Sequence, residues 1–189
     1  ILDQLEKLHR LDNTLIIFTT DHGDYFGQHG LIHKGPFHYE DGIRLPWIVS
    51  YPTKMQKSNY SSTAIQSVVD IAPSILSLCN IPIPRYMTGI DQSQVWLGEQ
   101  KRVRDHAICE MRHSPFAIHL KTYITDRYKI TIYYNETFGE LYDLKKDPNE
   151  VNNLWEDRTY KDLKLQLLLR FLWGELGKEP MKMPRIADA

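Results

Sequence analysis

Three polar side chains follow a short apolar segment near the start of the sequence, and their types could bind a cation and an anion together. Leu15 to Phe18 is apolar, and Asp21 and His22 follow it after two threonines. Carboxylate and imidazole groups are both ligands of divalent cations. Lys34 lies twelve residues beyond His22. Its ammonium suits a tetrahedral oxyanion such as sulfate or phosphate, held beside the cation.

The residues around this segment also have structural interpretations. Gly23 lets the backbone turn sharply and approach a ligand closely, but a plain turn would use it in the same way. Glu40 and Arg44 are four residues apart and predict an ion pair that holds the loop, in preference to a catalytic role. We interpret the remaining histidines of the stretch as structural or surface residues, and these are His29, His33 and His38.

Two segments of the first hundred residues predict strands of an α/β domain. "TLIIFTT" and "PWIVSYP" are β-branched and apolar on both faces, as strands covered by helices are. Asp70 precedes "IAPSILSLC", in which Pro73 falls in the first turn of a predicted helix. A strand that ends in a polar loop is the usual layout of an α/β active site.

The composition changes after the charged stretch 98–105. Short aromatic and β-branched segments follow, with turn residues between them, and predict an antiparallel sheet. Apolar residues at spacings of three and four then predict a helix over about 160–176, packed on that sheet. We therefore expect two units, residues 1–105 and residues 106–189.

The overall composition excludes several classes of protein. The 189 residues carry a formal net charge of −1, so broad attraction to nucleic acid is not expected. No run approaches the roughly 18–20 apolar residues that a membrane span requires. Cys79 and Cys109 form no CxxC pair and predict two ordinary thiols. The sequence begins inside an amphipathic segment without a start Met, and we expect it to be part of a longer chain.

Several motifs taken together resemble the second half of the catalytic domain of a sulfatase, in the alkaline phosphatase superfamily. The first is the stretch "TLIIFTTDHGDYFGQHGLIHKGPFHYEDGIRLPWIV", with its Asp-His-Gly, Lys-Gly, Tyr-Glu and Arg-x-Pro elements. "VVDIAPSILSLCNIPIP" and "TDRYKITIYYNETFGELYDLKKDPNEVNNL" are similar to later parts of the family, so the resemblance covers nearly all of the chain. It implies the second half of an alkaline-phosphatase-like α/β sandwich, followed by a small α+β subdomain.

The resemblance assigns roles to three residues of the first loop. Asp21 and His22 would complete a divalent metal site, with Lys34 as a catalytic residue that binds the sulfate group. It implies Ca²⁺ as the metal, although the nitrogen of His22 leaves Mn²⁺ or Zn²⁺ open, because Ca²⁺ prefers oxygen ligands. The substrates would be sulfated sugars or aryl sulfates.

The resemblance also indicates what the chain lacks. Sulfatases convert a Cys or Ser in a C/S-x-P-S-R signature to formylglycine, and neither "CNIPI" nor "CEMRH" matches it. We therefore expect the nucleophile, the other metal carboxylates and any export signal in the remainder of the same polypeptide, and no activity from this chain alone. Export to a periplasm or outside the cell is a guess from the family.

A further segment could contact the substrate, and two other functions remain open. "EMRHSP" places Arg112 and His113 in a predicted loop, where His113 could bind the substrate. A phosphonate monoester hydrolase or phosphodiesterase of the same superfamily would carry the same Asp-His pair. A binding or interaction module without catalytic activity is the alternative from another class.

Overall fold

The computed structural model describes residues 1–55, 60–113 and 118–178, with the side chain of His113 left out. The helices are α1 (Leu2–Lys7), α2 (Glu40–Ile43), α3 (Ile71–Leu78), α4 (Ser93–Trp96) and α5 (Lys161–Lys178). The strands are β1 (Ile16–Phe18), β2 (Tyr25–Phe26), β3 (Ile32–His33), β4 (Ile48–Ser50), β5 (Ala107–His113), β6 (Ile118–Ile124), β7 (Tyr128–Tyr133) and β8 (Gly139–Asp143).

The C-terminal sheet, formed by β5 to β8, is antiparallel, and its strands are neighbours in sequence order, as predicted. Side chains alternate between its two faces, so residues paired across the strands form rows. One such row crosses all four strands and is apolar, and it consists of Ile108, Tyr123, Ile130 and Leu141. This row forms one wall of a hydrophobic core.

Helix α5 supplies the other wall of that core. Leu167 and Phe171 are buried in it, and Leu163 packs against it from one turn earlier. The Phe171 ring stacks on Tyr123 with the two centroids 5.6 Å apart. The predicted helix on the sheet is therefore confirmed, although it begins at Lys161 and continues to Lys178.

The opposite face of the C-terminal sheet carries buried polar side chains among apolar ones such as Leu120 and Tyr142. Thr122, Lys129 and Thr131 lie on it, and each is at most 1% exposed. The hydroxyls of the two threonines are 2.8 Å apart, and His38 Nδ1 lies 2.8 Å from the Thr122 hydroxyl. This face therefore packs against the segment that leads into α2, whose polar groups satisfy those of the sheet.

The first strands are more open than predicted. β1 and β4 pair antiparallel over three residues each. Phe18 is 60% exposed and Ile48 is 61% exposed, so the described residues do not by themselves cover both faces of these strands. A ribbon of two three-residue strands has too little apolar surface to enclose its own side chains.

Two further expectations concern thiols and membrane spans. Cys79 and Cys109 are both free thiols, as predicted. Over the described ranges, no helix is both long enough and apolar enough to cross a membrane.

The burial of His38 predicts a pH-dependent stability. Burial, helped by the charge of Lys129, lowers the pKa of His38 to about 4 from the usual 6.5. The unfolded chain binds this proton below pH 6.5, while the folded chain resists it down to about pH 4. Stability should therefore fall by roughly 3 kcal/mol as the pH drops through that window. Chemical denaturation at a series of pH values should show a shallower decline for His38→Gln, whereas the exposed control His9→Asn should keep the wild-type decline.

Candidate active site

The Asp-His-Gly loop, residues 20–23, is fixed against α2 by its glycine. Gly23 N–H donates to the carbonyl oxygen of Gly42 over 2.9 Å. A Cβ on Gly23 would lie 1.9 Å from the carbonyl oxygen of Asp41, a distance that no side chain tolerates. Glycine is therefore required here for close backbone approach.

Asp21 and His22 present an oxygen and a nitrogen atom side by side. His22 Nδ1 donates to the Gly23 carbonyl over 2.9 Å, which leaves Nε2 with the free lone pair. Asp21 Oδ1 accepts from the backbone N–H of His22 and from the hydroxyl of Thr20. The other oxygen, Oδ2, lies 3.7 Å from His22 Nε2.

The surroundings of Asp21 favour its ionised form. Its own backbone N–H, then the Thr20 hydroxyl and the backbone N–H of His22, hold the pKa of Asp21 below its usual value. The Asp21 side chain is 85% exposed and that of His22 is 43% exposed, so both are open to a ligand. A carboxylate charged at neutral pH is what a metal ligand requires.

The two donors fit a divalent cation. Ligand bonds of about 2.0–2.6 Å place neighbouring donor atoms roughly 3–4 Å apart, and the 3.7 Å separation falls in that range. The described residues contain no cluster of three or more His, Cys, Asp and Glu that could hold a metal. Two donors are fewer than any of these cations requires, so a metal here would need ligands in addition to Asp21 and His22.

Lys34 is carried by a second loop that packs against the same helix. It follows β3 directly, and β3 pairs with β2 through Tyr25 and His33. Tyr25 is buried, and its hydroxyl donates to the carbonyl oxygen of Phe37 over 2.8 Å. The Tyr25 ring also underlies Gly35, where an added Cβ would lie 3.5 Å from the ring. The base of the Lys34 segment is thus fixed, while its ammonium remains exposed.

One open cleft of about 1380 Å³ brings these groups together. Asp21, His22 and Lys34 all line it, as does Arg44. Within the described residues, neither Lys34 nor Arg44 has a salt-bridge partner. The cleft therefore combines a carboxylate–imidazole pair with cationic groups whose charge is available to an anion.

The predicted ion pair between Glu40 and Arg44 is wrong. Glu40 instead accepts from Lys129 Nζ in β7 over 3.1 Å. The Arg44 N–H still donates to the Glu40 carbonyl over 2.8 Å, but helix α2 ends at Ile43 and Arg44 has extended backbone angles, so its side chain does not continue the helix face that carries Glu40. Glu40 thus connects the loop region to the C-terminal sheet.

The histidines of the region occupy three different environments. His38 is buried, while His29 and His33 are exposed and have backbone φ angles of 54° and 60°. The His29 ring stacks on Tyr39 with centroids 3.7 Å apart. The interpretation of these residues as structural or surface histidines fits their contacts, and His33 is the one beside Lys34 in sequence.

Arg112 and His113 lie at the end of a strand and not in a loop. Both belong to β5, and His113 pairs through its backbone with Ile118. Arg112 Nε is 2.8 Å from Glu110 Oε1, which gives this guanidinium a structural partner. The side chain of His113 lies outside the described part of the structure, so its substrate-binding role stays a prediction.

Sequence reasoning missed two residues that support the loops. Lys129 and Glu150 are each nearly inaccessible, and their side chains form an ion pair. The available signal was a lysine inside the β-branched segment "YKITIYY", because a buried lysine requires a charged partner. The sequence gives no indication of which partner that is.

The family follows from a match that covers most of the chain. The family model of the C-terminal region of N-sulphoglucosamine sulphohydrolase matches residues 27–173. The chain therefore belongs to this sulfatase family, and it corresponds to the C-terminal region.

Individual relatives agree with this assignment. An N-acetylglucosamine-6-O-sulfatase of Bacteroides thetaiotaomicron is 33% identical over 175 residues, which cover 89% of this chain and 31% of that protein. The solved structure of a protein in complex with its substrate, D-glucosamine-2-N,6-O-disulfate, superposes on this chain with a TM-score of 0.88 and 30% sequence identity. The match covers 96% of this chain and 38% of that one. The predicted alkaline-phosphatase-like fold is thereby confirmed.

A third neighbour shares the fold alone. It is the phosphonate monoester hydrolase of Agrobacterium radiobacter, with a TM-score of 0.83 and 24% identity, over 93% of this chain and 38% of that one. The chain thus spans about a third of the length of the proteins to which it is similar.

The close contact of Gly23 predicts the effect of one methyl group. Gly23→Ala must push α2 and the Asp-His-Gly loop apart, at a cost of roughly 1–3 kcal/mol in the free energy of unfolding. We expect the melting temperature of Gly23→Ala to fall by about 2–4 °C for each kcal/mol of that cost. Gly177→Ala is the control, since its Cβ would meet nothing within 4 Å. Equal melting temperatures of the two variants would contradict the packing role of Gly23.

Proposed function

We propose that the full-length protein is a sulfuric ester hydrolase that acts on a sulfated carbohydrate. The observation that supports this most directly is the cleft in which Asp21 Oδ2 and His22 Nε2 lie 3.7 Å apart and Lys34 is exposed, in a chain of the sulfatase family. The name of one similar protein, an N-acetylglucosamine-6-O-sulfatase, and the disulfated glucosamine bound in a similar structure make sulfated amino sugars the first compounds to test.

Asp21 and His22 are proposed as two ligands of a divalent cation. Such a cation, when bound, would act as a Lewis acid toward the sulfate group and help to orient it. The Asp21 carboxylate supplies charge, while the His22 imidazole supplies a nitrogen whose lone pair is fixed by the hydrogen bond of Nδ1. We keep Ca²⁺ as the expected ion from the family, with Mn²⁺ or Zn²⁺ as alternatives that the nitrogen donor favours.

Lys34 is proposed as the catalytic cation that contacts the sulfate group. The transition state of sulfuryl transfer should be loose, like that of phosphoryl transfer, so positioned charge matters more than covalent chemistry. An ammonium held on a fixed segment stabilises the negative charge of the sulfate oxygens without having to reorganise. His113 remains a proposed contact to the sugar, from the end of β5.

The remainder of the same polypeptide is the proposed partner of this chain. It would supply the formylglycine nucleophile and the further metal ligands, and it would cover exposed apolar residues such as Phe18 and Ile48. Within this chain we propose the division into residues 1–105 and 106–189, which places the charged stretch 98–105 at the boundary.

The substrate class can be tested together with the role of Lys34. We expect full-length enzyme to hydrolyse N-acetylglucosamine 6-sulfate or an aryl sulfate with a higher kcat/KM than a phosphonate monoester. Lys34→Ala should lower kcat/KM for the sulfate ester by roughly 10²–10³-fold, as for the loss of one preorganised donor. Lys34→Arg should not restore it, because the guanidinium is wider and places its donors differently.

The control for this experiment is Lys101→Ala, which removes another exposed lysine. Metal content and melting temperature should stay the same in all three variants. Near-wild-type turnover by Lys34→Ala would contradict its catalytic role. Preference for the phosphonate ester would favour the phosphonate hydrolase, and hydrolysis of neither ester would favour a module that only binds.

The proposed metal-binding role of Asp21 predicts a loss of bound metal when this residue is changed. Asp21→Asn replaces the charged ligand by a neutral amide, so bound metal and most of kcat should be lost in the full-length enzyme. Asp126→Asn is the matched control, because Asp126 also lines the cleft and its side chain is 63% exposed. Metal analysis after dialysis against limiting Ca²⁺ or Mn²⁺ measures the effect. Equal metal in the two variants would contradict the assignment of Asp21.

A further inference from the structure

We propose that Lys129, in the C-terminal sheet, is a positioning residue for the Asp-His-Gly loop. Its ammonium holds Glu40 at the start of α2, and α2 in turn holds Gly23 beside Asp21 and His22. This inference rests on the proposed function, in which the loop supplies metal ligands.

Lys129 is buried between two carboxylates. Lys129 lies in β7 and is 1% exposed. Its Nζ lies 3.1 Å from Glu40 Oε1 and also contacts Glu150 Oε1. Of the two acids, the Glu150 side chain is 1% exposed and that of Glu40 is 22% exposed. An ammonium without water needs such partners, so its position and theirs depend on each other.

The start of α2 is also attached to Glu150 through the backbone. Glu150 Oε2 accepts from the backbone N–H of Glu40 over 2.6 Å. Glu40 therefore has both its side chain and its backbone tied to the Lys129–Glu150 pair. This fixes the start of α2 relative to the C-terminal sheet.

Helix α2 in turn holds the backbone beside the proposed metal ligands Asp21 and His22. Two residues after Glu40, the carbonyl of Gly42 accepts from Gly23 N–H, and the carbonyl of Asp41 closes off the space beside Gly23. Gly23 directly follows His22, so any shift of α2 moves the backbone that orients Nδ1 and Nε2 of that imidazole. Displacements of about 1 Å at such groups cost large factors in rate.

A role in stability alone would not require this arrangement. A buried ion pair is often no more stabilising than apolar residues of similar volume, because desolvation offsets the attraction. The same segment is also anchored by Tyr39, whose hydroxyl donates to Glu140 over 3.0 Å, and by the contact of His38 with Thr122. The ion pair adds a charged contact between Glu40 itself and the sheet, at the first residue of α2.

The test uses full-length protein and measures metal binding without substrate. Lys129→Met should raise the Kd for Mn²⁺, measured by calorimetry, at least about tenfold and lower kcat by a similar factor, with KM changed less than about threefold. Lys121→Met is the matched control. Lys121 also bridges two acids, Glu110 and Glu175, but on the face that carries α5. It should keep both values within about twofold.

A double variant distinguishes the loss of positioning by Lys129 from the cost of leaving the Glu150 carboxylate buried without a partner. Lys129→Met with Glu150→Gln removes the carboxylate that would otherwise be left buried without a partner, so the melting temperature should recover most of its loss. Metal affinity should remain low, because Glu40 still has no ammonium to hold it. Recovery of wild-type metal affinity in the double variant would overturn the proposal, as would an equal loss in Lys121→Met.

The outcomes distinguish this inference from the proposed function. A wild type that binds Mn²⁺ through Asp21 but hydrolyses no sulfate ester contradicts the function alone. A wild type that hydrolyses sulfate esters, with metal affinity and kcat unchanged in Lys129→Met, contradicts the role of Lys129 alone. A wild type that binds neither Mn²⁺ nor Ca²⁺ contradicts both.

Discussion

The ammonium of Lys129 is buried and requires charged partners, and these join the segment around α2 to the C-terminal sheet. Lys129 lies on the face of the C-terminal sheet opposite α5, and it is 1% exposed. Its partners come from both sides of the contact, Glu40 from the loop region and Glu150 from the turn after β8. Burial raises the pKa of Glu150, while the charge of Lys129 opposes that shift. The three groups therefore favour one arrangement, in which the loops lie against the sheet.

The C-terminal sheet and its helix could be predicted because their signals are local. Alternation with period two marks the strands, and apolar residues such as Leu163, Leu167 and Phe171 mark one face of α5. The partner of Glu40 could not be predicted in this way. Its spacing from Arg44 suggested a helical pair, but the helix is one turn long and ends before Arg44. The true partner, Lys129, is 89 residues away in sequence.

The candidate site was predictable in its residue types and not in its geometry. Asp21, His22 and Lys34 do line one cleft. The hydrogen bond that selects the imidazole tautomer depends on the conformation of Gly23, which in turn depends on α2. The strand before the loop was expected to have both faces covered, because its residues are apolar. Burial depends on which other elements are available to pack against a strand, and residue type alone does not state that.

The order of strands in the C-terminal sheet has a consequence for the time at which the site can form. Because each strand pairs with its neighbour in sequence, the sheet closes short loops and should fold rapidly once made. A ribosome makes the Asp-His-Gly loop more than a hundred residues before Glu150, and in the interval Glu40 lacks both of its sheet partners. During synthesis these contacts of the loop can therefore form only after the C-terminal sheet has been made. A chain cut short before that point would retain Asp21, His22 and Lys34 but not the contacts that align them.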